Sequence, residues 1–249
     1  MIEVEKRFRE AIQHFWDARK KQEQKQIEGG KIDAGSRGAV TGGTQMAALE
    51  VLVTEILIEA GLDQVDIKTR TALELPGYYR PEKKWDLIVV SKKRLVAAIE
   101  FKSQVGPSFG NNFNNRSEEA IGSASDIWVA YREGRFGTAP APFVGYFFLL
   151  EDCAEVKSPV RNQEPYFEVD PLFKGAQTTN GRHAGVSYMQ RYEILCRRLC
   201  LERLYSAACL ALSTNTTPTQ IAEPANDLTF QRFVAALKGH VVTFIGSTR

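Results

Sequence analysis

The chain has 249 residues, of which 43% are hydrophobic and 25% charged, and its formal net charge at pH 7 is +2. That length suits one large domain or two small ones, and the composition is that of an ordinary soluble globular protein. No apolar run approaches membrane-spanning length, and so small a net charge does not announce a nucleic-acid binder, so any basic surface must be local.

The four cysteines, Cys153, Cys196, Cys200 and Cys209, follow no framework spacing, and three fall within one predicted helix. Residues 1–7 are charged and lack a secretory apolar region. Reduced thiols and a cytoplasmic location are the resulting expectation. Cys196 and Cys200 with His183 lack a fourth ligand for zinc, so core packing is the simpler account.

Residues 2–28 have the periodicity of an amphipathic helix, with Phe8, Ile12, Phe15 and Trp16 on one side. Gly29-Gly30-Lys31 ends it, and a loop runs to about residue 43. Lys20, Lys21 and Lys25 cluster near this helix, as Arg191, Arg197, Arg198 and Arg203 do on a later one. Solvated helix faces explain both clusters. The glycines of residues 36–45 permit close backbone approach, and the helix N-terminus that follows favours phosphate, which makes Arg37 and Thr41 candidate DNA contacts. The Gly-Lys-Ser/Thr ending of a Walker loop is absent, and an ordinary loop with a threonine cap is the simpler alternative.

Residues 44–60 predict a helix closed by Gly61, with Met46, Leu49, Val53, Ile56, Leu57 and Ala60 as its apolar stripe. Glu50 lies on that stripe. A glutamate there either pairs with a buried base or is aimed at a site. A short strand is expected over residues 65–71 and a loop over 75–81.

Residues 84–103 carry the chemistry. Leu87 to Val90 is a β-branched apolar run, Ser91 to Arg94 a short polar turn, and a second strand runs from Leu95 to about Ser103. Glu100 and Lys102 share one face of that strand, Ile99 and Phe101 the other. With Ser91 facing Arg94, Asp86 falls nearly opposite Ile99 and Glu100, and a small register or bulge change would bring the carboxylates together. Two carboxylates held close repel unless a positive charge sits between them. Mg²⁺ suits that place, as a hard cation with oxygen ligands. It can polarise a phosphodiester, and a lysine beside it can orient water or offset charge on a phosphorane-like transition state. The bland alternative is a solvated strand edge. Against it, Glu100 and Lys102 interrupt an apolar strand where an unpaired charge is costly.

Residues 103–115 read as a polar loop and 117–132 as a helix closed by Gly134. Asn111, Asn112, Asn114, Asn115 and Arg116 stand at its start. Asparagine pairs bidentately with adenine and arginine with guanine in the major groove, although a polar loop with a cap is the plainer account of the composition. A strand is expected over 143–150, irregular chain over 151–182, one long helix over 187–212, a linker over 214–227, a helix over 228–238 and a strand over 241–245. Helices flanking a mixed sheet give an α/β class.

Four stretches together resemble the XhoI family of type II restriction endonucleases: Arg37-Gly38-Ala39-Val40-Thr41-Gly42-Gly43, the hairpin from Asp86 to Glu100-Phe101-Lys102-Ser103-Gln104, Gly110-Asn111-Asn112-Phe113-Asn114-Asn115-Arg116, and Arg191-Tyr192-Glu193-Ile194-Leu195-Cys196. The resemblance implies the PD-(D/E)xK nuclease fold, here with Trp85 where the motif's proline would stand. It implies one restriction endonuclease domain over 1–249, with an N-terminal helical part to about 43, a catalytic core over about 44–150 and a C-terminal helical part beyond. It also implies a homodimer on palindromic double-stranded DNA, an expected site CTCGAG cut after the first C, 5′-phosphate ends and a cognate DNA methyltransferase. Carried over by motif, Asp86 and Glu100 bind Mg²⁺ and Lys102 assists the water; Glu50 joins them by its place on the helix stripe. Two other readings stay open: a repair or junction-resolving nuclease on the same fold, and a DNA-binding protein without catalysis.

Overall fold

A computed structural model describes residues 2–28, 45–137 and 140–247. Its centre is a six-stranded mixed sheet, flanked on both faces by helices, as an α/β restriction-endonuclease-like core requires. The strands are β1 (Ile67–Lys68), β4 (Leu87–Ser91), β5 (Arg94–Gln104), β6 (Phe143–Glu151), β7 (Ala207–Ser213) and β8 (Ile221–Ala222), hydrogen-bonded in that order. β5, β6 and β7 run parallel and the outer pairs antiparallel. A separate ribbon pairs β2 (Glu74–Pro76) with β3 (Glu82–Lys84).

Because helices cover both faces, the central strands are apolar at almost every position. Phe143, Phe147 and Leu149 of β6 join a core with α1 (Ile2–Glu28), α2 (Ala47–Glu59) and α6 (Phe230–Ser247). Val144, Tyr146, Phe148 and Leu150 point the other way, toward α3 (Phe109–Arg132) and α5 (Tyr188–Leu201). A one-turn helix, α4 (Ala154–Lys157), lies between β6 and α5.

Several expectations are corrected. The helix expected over 187–212 ends at Leu201, and Ala207–Ser213 is a strand instead, placing Cys209 outside the helix of Cys196 and Cys200. Alanine and leucine favour helix locally, but a parallel strand buried on both faces selects small apolar residues, and burial overrides propensity. Residues 241–245 are the last turns of α6, not a strand. Val241 and Phe244 continue the buried stripe of Phe233, Val234 and Leu237 at helical spacing, while Val242 is exposed. α3 begins at Phe109 rather than 117, so the asparagine segment is helical. Asparagine is a poor helix former. Here burial of Phe109 and packing of Phe113 against Tyr188 and Tyr192 compensate. The strand expected over 65–71 is reduced to β1. All four cysteines are free thiols, and among the described residues no helix is long and apolar enough to cross a membrane.

The β4–β5 turn has two central residues, Lys92 and Lys93, at φ 50° and 62°. Both are left-handed, as a type I′ hairpin requires. A lysine in that region carries strain that glycine lacks. Lys93→Gly should therefore stabilise the protein by about 1 kcal/mol, raising the melting temperature by roughly 2–4 °C; an unchanged or lower melting temperature would contradict a strained turn.

Candidate active site

The β4–β5 ladder is irregular between Val89 and Val90. Below the turn Ser91 faces Arg94 and Val90 faces Leu95, but beyond the irregularity Val89 faces Ala97 and Leu87 faces Ile99. One residue of β5 is thus left over. Without this bulge Asp86 would stand opposite Ile99; with it, the next residue along, Asp86, falls level with Glu100. The bulge is the register change that the sequence left open, and it sets two acidic side chains side by side.

The Asp86 carboxylate accepts a hydrogen bond from the Phe101 backbone N–H at 2.8 Å, which locks it against β5. Glu100 is nearly fully buried and held by two cations. Lys102, on the same face of β5, pairs with one carboxylate oxygen, and Lys83 of β3 reaches the other at 2.6 Å. Lys83 also lies 4.4 Å from the centre of the Trp85 ring, so the residue before Asp86 supports the partner of Glu100. The turn ahead of β3 is fixed by Asp126 of α3, which accepts hydrogen bonds from the backbone N–H of Tyr78 and Tyr79 and from Arg80 Nε at 2.7–2.9 Å. Gly77 is required there: a Cβ would lie 2.6 Å from the Arg80 carbonyl oxygen and from Asp126.

The electrostatics follow from burial and proximity. Burial, reinforced by the charge of Glu100, pushes Asp86 above the usual carboxylate range. Burial would push Glu100 up too, but the Lys102 and Lys83 ammoniums outweigh it and hold that carboxyl below its ordinary value. For Lys102 burial opposes the charge, and Glu100 and Asp86 together more than reverse this, so the ammonium is held protonated.

Glu50 of α2 is half-buried at the rim of the same place. Burial and the charge of Asp86 push it up to about 7. The buried face of α2 is Leu49, Leu52, Val53, Ile56 and Leu57, so Glu50 sits beside the stripe and lines a cleft. That cleft, of about 970 Å³, is also lined by Asp86, Phe101, Lys102 and the first turns of α3, with Asn111, Asn112, Asn114, Asn115 and Arg116. Glu100 does not line it; this carboxylate faces a smaller opening of about 340 Å³, with Lys83, Lys84 and Arg80, that shares Lys102. Arg37 and Thr41 lie outside the described residues.

Among the described residues no group of three or more His, Cys, Asp or Glu side chains is arranged to hold a metal ion unaided. The donors nonetheless fit a hard divalent cation. Mg²⁺ is ordinarily held by one or two carboxylates, with water and substrate phosphate completing its shell. Asp86 and Glu50 are two carboxylates on one cleft, each raised first by burial and then by the charge of a neighbouring acid.

Two cations of the site were not singled out from the sequence. Lys83 could have been found only from the tertiary packing that sets the β2–β3 ribbon beside Glu100. Arg19 of α1 also lines the large cleft; its signal is spacing, since it falls three and four residues after Trp16 and Phe15 and so continues their buried stripe.

The raised Glu50 has a sign-definite consequence. Its folded-state value, about 7, exceeds the ordinary 4.5, so its ionisation opposes folding. That cost is absent below about pH 4.5, grows as pH rises and is complete above 7. With EDTA at pH 8, Glu50→Gln should melt roughly 2–4 °C above wild type, and the gap should close near pH 4.5. A gap equal at both pH values would show that neither burial nor Asp86 opposes the ionisation of Glu50.

The family model described as "Restriction endonuclease XhoI" matches residues 25–223. The chain is 47% identical over 218 residues to the type II restriction enzyme BstVI of Geobacillus stearothermophilus, covering 85% of this chain and 93% of that protein. It is 45% identical to the type II restriction enzyme XhoI of Xanthomonas vasicola, over 81% of this chain and 77% of the relative. Against the type II restriction enzyme AbrI of Azospirillum brasilense it is 46% identical, over 77% and 86%. No solved structure matches the chain. A family match over residues 25–223 and 45–47% identity to three relatives show that the chain belongs to the XhoI family of restriction endonucleases.

Proposed function

We propose that this protein is a Mg²⁺-dependent type II restriction endonuclease, one catalytic domain per subunit, that cuts palindromic double-stranded DNA to leave 5′-phosphate ends. The observation that carries the reading is the bulge-set juxtaposition of Asp86 and Glu100 beside Lys102, at a cleft that also holds Glu50 and the asparagines of α3. The names of its relatives support the class. The resemblance adds CTCGAG as the expected site, cut after the first C.

Asp86 and Glu50 would hold the Mg²⁺ ion. Glu100, the third carboxylate of the set, is taken up by Lys83 and Lys102 and would give one of them up to join. When bound, the ion polarises the phosphodiester and helps activate water for in-line attack. Lys102, held protonated by its acidic neighbours, serves as a cation and not as a base. It can orient the attacking water and offset charge as it builds on the phosphorus oxygens. Glu50 loses its proton near neutrality, so acid should weaken metal binding first through this residue.

The first two turns of α3 carry Asn111, Asn112, Asn114, Asn115 and Arg116 on the cleft. A helix fits the major groove, where asparagine reads adenine and arginine reads guanine. Arg37 and Thr41 remain candidate contacts from the sequence. One site per subunit cuts one strand, so a two-fold homodimer on a two-fold site accounts for a double-strand break. Such an enzyme works in the cytoplasm beside a cognate methyltransferase that protects the host's own sites.

The test is digestion of an unmethylated, sequenced plasmid carrying CTCGAG, with Mg²⁺, with EDTA and with Asp86→Ala protein. Discrete fragments ending at CTCGAG should form with Mg²⁺ and vanish with EDTA, and Asp86→Ala should lower the rate by on the order of 10³-fold. One changed base in the site should cost roughly 1–3 kcal/mol of recognition. Fragments with other discrete ends would discard the carried-over site and keep the nuclease. Structure-dependent nicking would favour a repair or junction-resolving enzyme, and binding without cutting would remove the catalytic reading.

A further inference from the structure

α1 presents one continuous buried face of Phe8, Ile12, Phe15 and Trp16, and the next position on that face is Arg19. Trp16 Nε1 donates to Ser213 Oγ at 2.9 Å and so fixes the helix against the end of β7. Arg19 lies one turn further on and lines the large cleft with Glu50, Asp86 and Lys102. Its residue exposure is only 7%.

A buried guanidinium ordinarily has its donors satisfied. Arg19 does not: Nε has no hydrogen-bond partner among the described residues. Among the described residues its ion pair is with Glu23 on the same helix, at 3.3 Å but outside hydrogen-bond geometry. Glu23 is itself about half exposed, at 47%, and an i,i+4 pair of that kind is weak. A cation is therefore held in low-dielectric surroundings, on a cleft proposed to receive DNA, with a donor unmet. A phosphodiester has the complementary chemistry, a negative charge and two non-bridging oxygens that match the guanidinium fork.

We propose that Arg19 is a phosphate-binding residue of the cleft, donating to a non-bridging oxygen of the DNA backbone. This rests on the nuclease reading above. It gives α1 a role in holding the duplex against the site, separate from the base contacts of α3. A backbone contact acts on every sequence alike and contributes to the salt dependence of binding.

The test uses full-length protein in an Asp86→Ala background, to keep the duplex intact. Dissociation constants are measured for a CTCGAG duplex and a one-base variant across 50–200 mM NaCl. Arg19→Met should weaken both duplexes by a similar factor, roughly 10- to 100-fold, and flatten the slope of log K against log salt by about 0.9. Its melting temperature without DNA should be no lower than the parent's. If Arg19→Met does not fold, Arg19→Gln, neutral but still a donor, is read the same way. Replacing backbone phosphates one at a time by methylphosphonate should then reveal a position that weakens the parent but not the Arg19 variant. An unchanged slope, a loss confined to the CTCGAG duplex, or no such phosphate would overturn the proposal. A parent that binds neither duplex would instead overturn the nuclease reading itself.

Discussion

The site depends on one residue of offset in the β4–β5 ladder. Side chains alternate along a strand, so a shift of one turns each residue to the opposite face. The bulge at Val89/Val90 absorbs that shift before Leu87. Beyond it, away from the turn, Leu87, Val89, Ala97 and Ile99 fill one core, with Ile88 and Ala98 in the other. Continued one residue further, the same alternation brings Asp86 level with Glu100 on the face that carries Lys102. Apolar burial on both faces holds the register, and the register holds two carboxylates together that would otherwise separate.

That arrangement is electrostatically unfinished. Lys83 and Lys102 neutralise Glu100 from both sides, but among the described residues Asp86 has the Phe101 N–H and more distant ammoniums, and Glu50 is pushed up to about 7 by burial and by Asp86. A buried ion pair contributes little net stability against its desolvation. The cluster is accordingly the place where the proposed divalent cation would supply positive charge. The same strand positions recognition relative to chemistry. Gln104, at the end of β5, is buried and donates to the Phe109 carbonyl at 3.2 Å, while its own oxygen accepts from the Tyr192 hydroxyl. One side chain thus ties the strand bearing Glu100 and Lys102 to the start of α3 and to α5. The side chains proposed to read bases and those proposed for catalysis are thus set on a shared rigid frame.

Much of this was legible in the sequence where the signal was periodic or motif-like. The hairpin, the apolar faces of α1 and α2 and the strand from Phe143 follow from spacing, and the family likeness follows from long specific stretches. The misreadings have a common cause. Ala207–Ser213 and residues 241–245 are short apolar runs in which local propensity and tertiary burial disagree, and burial decided both. The early start of α3 was hidden because four asparagines signal a loop, while the anchoring contacts of Phe109 and Phe113 come from α5, nearly eighty residues away. The pairing of Asp86 with Glu100 was open for a different reason: a bulge has no reliable sequence signature, and here none of the four bulge-flanking residues is glycine.

Charge shows the same limit from another side. The basic cluster of α5 is partly neutralised in the fold: Arg197 pairs with Glu193 and Asp227, and Arg198 with Asp170. Among the described residues, the cations lining the large cleft are single residues from three separate elements, Arg19 on α1, Lys102 on β5 and Arg116 on α3. No run of sequence brings them together; the topology does. A net charge of +2 is therefore compatible with a DNA-handling cleft, because what such a cleft needs is a few buried cations facing acids that a metal will neutralise, and their sum over the chain is close to zero.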